Sequence, residues 1–276
     1  MGGRARLPAR AEQVTARGID IRFLSARDVD ELDLSAADVL AAVEGALRAQ
    51  GEGQVVLEPR EHLVPDPAFN GHFNLLRAYV EPLGMAGVKV VGDYADNYRL
   101  GLPSELALLT LYDPRTGAPL AIVDATEITE RRTGAVTAIG ARYLARGDAK
   151  VLGHIGARGT AFSNVTMLDS EFDLDEIRVT SRRQESRAAF GAALTEALDT
   201  PVLVVDTAEE AVRGADIVVE ATRLLEPAPL LRTEWIEPGT LVIPYGTVSA
   251  VELSLTDVMD KIVVDDWAQC RQGRFG

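Results

Sequence analysis

The segment Lys150-Val-Leu-Gly-His-Ile-Gly156-Ala-Arg158-Gly159-Thr160-Ala161 is a short apolar strand running into a glycine-rich turn and then into a helical stretch. Such a turn can take the pyrophosphate of a dinucleotide. A first glycine turns the chain tightly, a second lets the anion approach the backbone, a small third residue packs the helix closely, and the helix N-terminus stabilises the charge. Read as G-x-G-x-x-[GA], the pattern falls on Gly156, Arg158 and Ala161; an arginine replaces the second glycine, and Gly159 is displaced by one. The alternative is an ordinary strand-to-helix turn, and the regular series of strands and helices around it favours the phosphate cradle. The next strand ends in Ile177-Arg-Val-Thr-Ser181-Arg182-Arg183, without the acidic residue that would bond the adenosine ribose hydroxyls. Small polar and basic residues there suit a ribose 2′-phosphate, because guanidinium offers bidentate, charge-assisted bonds. Ser181, Arg182 and Arg183 therefore predict NADP(H) over NAD(H), the competing reading being surface arginines at a solvated strand end.

These residues need elements to hold them. Val39, Leu40, Val43 and Leu47 recur at helical spacing over residues 36–47, behind Ser35 as an N-cap. Strand-like runs occupy 19–24, 54–64, 71–80, 85–91, 105–112 and 119–124, and the turn cluster Asp113-Pro-Arg-Thr-Gly117 joins the last two as a hairpin. This predicts an α+β domain over residues 18–125 with mostly antiparallel pairing. After Asp124 the pattern changes. Residues 128–144 read as a helix with Thr129 as a cap, and short apolar strands over 150–155, 177–181, 202–205, 217–220, 240–243 and 261–264 alternate with helices such as 184–198 and 208–213. That alternation predicts a Rossmann-type doubly wound parallel sheet over residues 126–276, so the fold class is α/β with an N-terminal α+β domain.

Composition narrows the partners. The 276 residues amount to roughly two domains at about 150 residues each. With 28 Lys and Arg against 42 Asp and Glu the formal charge is −14, which argues against nucleic acid as a partner. Cys270 is the single cysteine, so no intrachain disulfide forms, and no apolar run approaches the ~20 residues of a membrane span. A soluble, cytoplasmic protein is expected. The first seventeen residues carry Arg4, Arg6, Arg10 and Arg17, but also Glu12, and lack the serines and apolar face of a transit peptide, so they read as a loose leader.

The runs Gly87-Val-Lys89-Val-Val91, Asn97, Gly101-Leu-Pro103, Thr116-Gly-Ala-Pro-Leu-Ala121 and Ile128-Thr-Glu-Arg-Arg132-Thr133, followed by the glycine turn, come in one consistent order. Together they resemble the ornithine cyclodeaminase and mu-crystallin family over most of residues 20–276. The resemblance implies a substrate-binding and dimerisation domain, a Rossmann domain, an active site in the cleft between them, and a homodimer. It implies the activity of an NAD(P)-dependent cyclodeaminase, a cyclic ketimine reductase or an amino-acid dehydrogenase, with a small amino acid or imine as substrate. Residue by residue, Lys89 matches the active-site lysine, Arg60 and Arg132 match arginines that hold the substrate carboxylate, and Thr133 and Thr222 fall where the family contacts cofactor, with Gly156, Arg158, Gly159 and Thr160 in the phosphate turn. The residues themselves support these roles: reduction of a C=N carbon is helped by cations that orient a carboxylate and by a group that donates a proton. Lys89, set among Gly87, Val88, Val90 and Val91, is placed for partial desolvation, which favours its neutral form; otherwise it is a lysine guarding an edge strand. For Arg60 and Arg132 the competing role is a surface ion pair.

Other candidates carry less. His62, His72 and His154 lack metal-like spacing, Asp265-Asp266 lacks partners, and Cys270 lacks the setting of a nucleophile, so no metal site is expected. Ornithine cyclodeaminases carry an aspartate after the glycine that follows the fifth Rossmann strand; here Ile243-Pro-Tyr245-Gly246-Thr247-Val248-Ser249 has none. Ring closure with loss of ammonia needs such a group more than imine reduction does. The favoured expectation is thus an NADPH-dependent reductase of a 2-imino acid or cyclic ketimine, or the reverse amino-acid dehydrogenase. The alternatives are an NAD-dependent ornithine cyclodeaminase and a crystallin-like NADPH-binding protein without turnover. Family members continue with further elements that return toward the first domain, whereas this sequence ends at Gly276, so a shortened chain or a divergent member is expected.

Overall fold

The structure is a computed structural model that describes residues 14–15, 18–222, 224, 226–245, 248–265 and 267–272. The chain folds as two compact units. One holds the described residues up to Asp33 with Ala46–Glu127, and the other holds Leu34–Gly45 with the described residues from Ile128 onward.

The first unit is built on a six-stranded sheet. Its strands are β1 (Arg22–Leu24), β2 (Val55–Leu63), β3 (Gly71–Val80), β4 (Met85–Tyr94), β5 (Glu105–Tyr112) and β6 (Pro119–Asp124), in the order β1-β6-β5-β4-β3-β2. All neighbours run antiparallel except β1, which lies parallel to β6. Short helix α1 (Ala26–Asp30) and the longer α2 (Ala36–Gly51) precede β2. Side chains alternate across a strand, so Val91, Asp93, Ala107 and Val123 are buried on one face of this sheet. The other face leaves Leu63, Val90, Leu106 and Leu108 exposed, Leu108 by 50%. Strand β4 lies inside the sheet, so Lys89 does not guard an edge.

The second unit is the expected doubly wound sheet. Strands β7 (Val151–Ile155), β8 (Glu176–Thr180), β9 (Val202–Val204), β10 (Ile217–Glu220) and β11 (Leu241–Pro244) are all parallel, in the order β9-β8-β7-β10-β11. Helices α3 (Thr126–Leu144), α4 (Ala161–Asp169), α5 (Gln184–Ala197) and α6 (Ala208–Val212) alternate with them, and α7 (Trp267–Gln272) follows. Leu152, Ile177, Ile217, Val218 and Val219 are fully buried in the sheet. Two local expectations change. Helix α3 starts at Thr126, so Thr129 sits inside it rather than capping it, and its carbonyl accepts the Thr133 hydroxyl at 2.7 Å. Residues 261–264 are exposed and form no strand: the connection from β11 is long enough for a crossover, but its described residues hold a 3-10 turn, Leu253–Asp257, and no helix to carry the chain back across the sheet. No described helix is long and apolar enough to cross a membrane.

Close packing of β7 on α6 depends on one glycine. A Cβ at Gly153 would lie 2.2 Å from the carbonyl oxygen of Ala211, a backbone atom that cannot move aside alone. Gly153→Ala should therefore cost at least about 1–3 kcal/mol, the usual penalty for overpacking, read as a thermal midpoint several degrees lower. An unchanged midpoint would show that the helix gives way freely.

Candidate functional site

In the first unit, the register of β4 pairs Lys89 with Leu76 on β3 and with Leu109 on β5. Apolar neighbours on both sides leave the lysine half-buried. The pairing of β2 with β3 shifts between Glu58 and Glu61, so that Pro59 and Arg60 together face the single residue Leu76. This is a bulge, which bends a strand locally and re-aims its side chains. Arg60 is exposed at that bulge, two strands from Lys89 and therefore about 10 Å away by backbone spacing. The sheet thus brings these two predicted residues together. The register continues the same face through Asn74, opposite His62, and Asp93, opposite His72. His72 Nε2 lies 4.0 Å from the buried Asp93 carboxylate, and the rings of His62 and His72 meet edge-on at 5.1 Å. Sequence spacing alone did not join these histidines. They do not make a metal centre: among the described residues no group of three His, Cys, Asp or Glu could hold one.

The second unit carries the glycine turn at the C-terminal end of β7, the central strand, where the chain continues to β8 on one side and crosses to β10 on the other. In open parallel sheets this switch point is where ligands bind. Gly156 has φ +114°, a conformation that side chains rarely adopt, and a Cβ there would meet the Ala221 carbonyl oxygen at 2.8 Å. Its N–H donates to the Thr180 carbonyl at 2.9 Å, tying the turn to the end of β8. Gly159 also has positive φ, +56°, while Arg158 is exposed. Thr160 precedes α4 as its N-cap but makes no side-chain capping bond, so the helix start keeps amide groups that an anion can satisfy. A cradle closed to side chains, next to a helix start without a side-chain cap, fits a pyrophosphate.

At the end of β8, Ser181 is half-buried, its hydroxyl donating to the Arg183 carbonyl at 3.3 Å, while Arg182 and Arg183 are exposed. Arg187, one turn into α5, donates to the Ser181 carbonyl at 3.3 Å and pairs with Asp206, anchoring this strand end. Arg132 and Thr133 lie half-buried on α3. Thr222 follows β10, and its N–H donates to Glu220 Oε1 at 2.7 Å, with its hydroxyl bonded to the same oxygen. Gly246, Thr247 and Asp266, which figure among the sequence-based expectations, lie outside the described residues, as do Arg4, Arg6, Arg10 and Arg17 of the leader, while its Val14–Thr15 pairs antiparallel with Gly18–Ile19.

Two residues at this switch point carry no motif in the sequence. Glu220 is fully buried, its Oε2 has no hydrogen-bond partner among the described residues, and burial pushes its carboxyl above the usual range. His154 is fully buried beneath the turn, with Nδ1 3.0 Å from the Gly156 carbonyl oxygen and Nε2 without a partner among the described residues. The available signal was a charged or polar residue inside an otherwise apolar parallel strand. Burial lowers the His154 pKa from 6.5 to about 4. The unfolded chain therefore binds the extra proton more readily, so stability is intact above pH 6.5 and falls as pH drops toward 4, by roughly 3 kcal/mol from this group. His154→Phe should flatten that part of the stability curve in denaturant titrations; equal pH dependence in both proteins would contradict it.

Comparison with known proteins shows the family. A profile described as the ornithine cyclodeaminase/mu-crystallin family matches residues 20–272. The chain is 33% identical to an alanine dehydrogenase of Archaeoglobus fulgidus, over 91% of this chain and 76% of that protein. It is 30% identical to ketimine reductase mu-crystallin of Rattus norvegicus, over 81% of this chain and 70% of that protein. Among solved structures, a Delta(1)-pyrroline-2-carboxylate reductase of Thermococcus litoralis in complex with NADH and L-proline superposes with a TM-score of 0.76 and 32% identity. That match covers 80% of this chain and 68% of the other.

Proposed function

The chain belongs to the ornithine cyclodeaminase/mu-crystallin family, and on that premise we propose that it is an NADPH-dependent reductase of a 2-imino acid or cyclic ketimine, able to run in reverse as an amino-acid dehydrogenase. The observation that carries this reading is the glycine turn at the switch point of the parallel sheet, with a basic strand end beside it. Gly156, Gly159 and Thr160 would hold the pyrophosphate, assisted by Arg158; Ser181, Arg182 and Arg183 would take a ribose 2′-phosphate; Thr133 and Thr222 would contact the rest of the cofactor. When bound, the nicotinamide would supply a hydride to the substrate α-carbon in one direction and accept it in the other. Lys89 Nζ donates its proton to the imine nitrogen, which makes the C=N carbon a better hydride acceptor, and recovers a proton from solvent. Arg60 and Arg132 bind the carboxylate and so fix which face of the C=N bond is presented.

The exposed apolar face of the first unit's sheet supports a homodimer, since unpaired apolar area of this kind marks an association surface. We place the protein in the cytoplasm. The reading is tested by following NADPH and NADH oxidation with cyclic imines, and with 2-oxo acids plus ammonia or methylamine, with ornithine and NAD as the cyclodeaminase control. Steady NADPH consumption with an imine is expected. Binding of NADPH with no turnover on any of these would favour a crystallin-like role, and ammonia release from ornithine would favour the cyclodeaminase.

A further inference from the structure

We propose that His154 is a positioning residue for the pyrophosphate, acting through the peptide bond between Gly156 and Ala157; this rests on the dinucleotide reading above. The Gly156 carbonyl can only accept a hydrogen bond, so the contact at 3.0 Å requires the proton on Nδ1. In a neutral imidazole that leaves Nε2 as the unprotonated nitrogen, and Nε2 is the atom without a partner among the described residues. The imidazole is fully buried on β7 and packs against Phe190, with ring centroids 5.8 Å apart. It is therefore a fixed donor under the turn.

The consequence follows from peptide geometry. Among the described residues no peptide bond is cis, and in a trans peptide the C=O and the following N–H point in opposite directions. A carbonyl drawn down onto His154 turns the Ala157 N–H away from the sheet interior, toward the mouth of the turn where an anion would sit. Gly156 needs this help: at φ +114° its peptide is not held by ordinary strand geometry, and its own N–H is bonded elsewhere, to Thr180. His154 touches no cofactor itself.

The test compares three proteins by calorimetry with NADPH and with adenosine 2′-monophosphate, which carries the 2′-phosphate and no pyrophosphate. His154→Asn keeps an N–H close to the place of Nδ1, while His154→Leu has similar size and no donor. His154→Leu should weaken NADPH about tenfold, the worth of one well-made hydrogen bond, His154→Asn should restore most of that loss, and adenosine 2′-monophosphate should bind all three alike. Equal loss for both ligands, or no rescue by asparagine, would reduce His154 to a packing role and overturn the inference. Wild-type protein that binds no dinucleotide would overturn the dinucleotide reading and this inference with it. Should the variants not fold, the nitrogen-15 imidazole spectrum of the wild-type protein decides: a neutral ring protonated at Nδ1, with the Ala157 amide proton moving downfield on NADPH addition, is expected. The Nε2-protonated tautomer, or an unmoved Ala157 amide, contradicts it.

Discussion

Lys89→Met is expected to lower kcat for imine reduction by about 10²–10⁴, the range for loss of a positioned proton donor, with NADPH affinity unchanged. Methionine keeps the length and the apolar stem while removing the ammonium, and the site tolerates it because Lys89 is half-buried between Leu76 and Leu109 on an interior strand. Stability should therefore change little. The phosphate cradle belongs to the second unit, so cofactor binding should not depend on the lysine, and a thermal midpoint checks the fold of the first unit. Single-turnover NADPH oxidation alongside NADPH fluorescence titration separates the two quantities. Wild-type rates in the variant would remove Lys89 from the chemistry, and a parallel loss of binding and rate would point to a structural defect. Lys89→Arg should recover little, because guanidinium does not give up a proton near neutral pH.

The second large effect concerns cofactor choice. Replacing both Arg182 and Arg183 by alanine should weaken NADPH by about 10²-fold, two charge-assisted contacts discounted for their exposure, while NADH changes far less. Both side chains are exposed, and Arg183 heads α5 without a side-chain capping bond, so the alanines should not damage the helix. Arg187, by contrast, is tied to Ser181 and Asp206, and its removal should hurt stability and both cofactors together. The preference should also shrink as salt rises, because the attraction is between exposed charges. Equal weakening of NADPH and NADH would move the 2′-phosphate contact elsewhere.

Much of this architecture was legible in the residues. Strands at 71–80, 105–112 and 119–124, read from their apolar runs and turn residues, end where the structure ends them, because each is bounded by turn-forming residues such as Asp113 to Gly117. The parallel sheet followed from strands alternating with helices. What failed was local. An apolar run at 261–264 resembles a strand in sequence, yet pairing is decided by the connection before it. Thr129 resembles a cap, yet α3 begins at Thr126, where the backbone N–H is taken by the Asp124 carboxylate at 3.0 Å.

At the site, the glycines were legible because positive φ and close approach both demand the residue type. The bulge that sets Arg60 opposite Leu76 was not, since register between two strands depends on a partner that the sequence of one strand does not name. Nor was the meeting of His62, His72 and Asp93, which come from three strands. His154 and Glu220 were visible as polar residues in apolar strands, but what they bond depends on atoms two residues away, the Gly156 carbonyl and the Thr222 amide.

In the proposed reaction a hydride would pass between the nicotinamide and the α-carbon of an imino acid, the step that Lys89, Arg60 and Arg132 would serve. Its most direct test is to supply NADPH deuterated at C4, on each face in turn, with a cyclic ketimine carboxylate, and to follow the product amino acid by mass spectrometry and NMR. One deuterium is expected, at the α-carbon and from one face only, with Lys89→Met incorporating it about 10²–10⁴ more slowly. Product formed without deuterium from either face, or no product from any ketimine while NADPH still binds, would contradict hydride transfer on this chain.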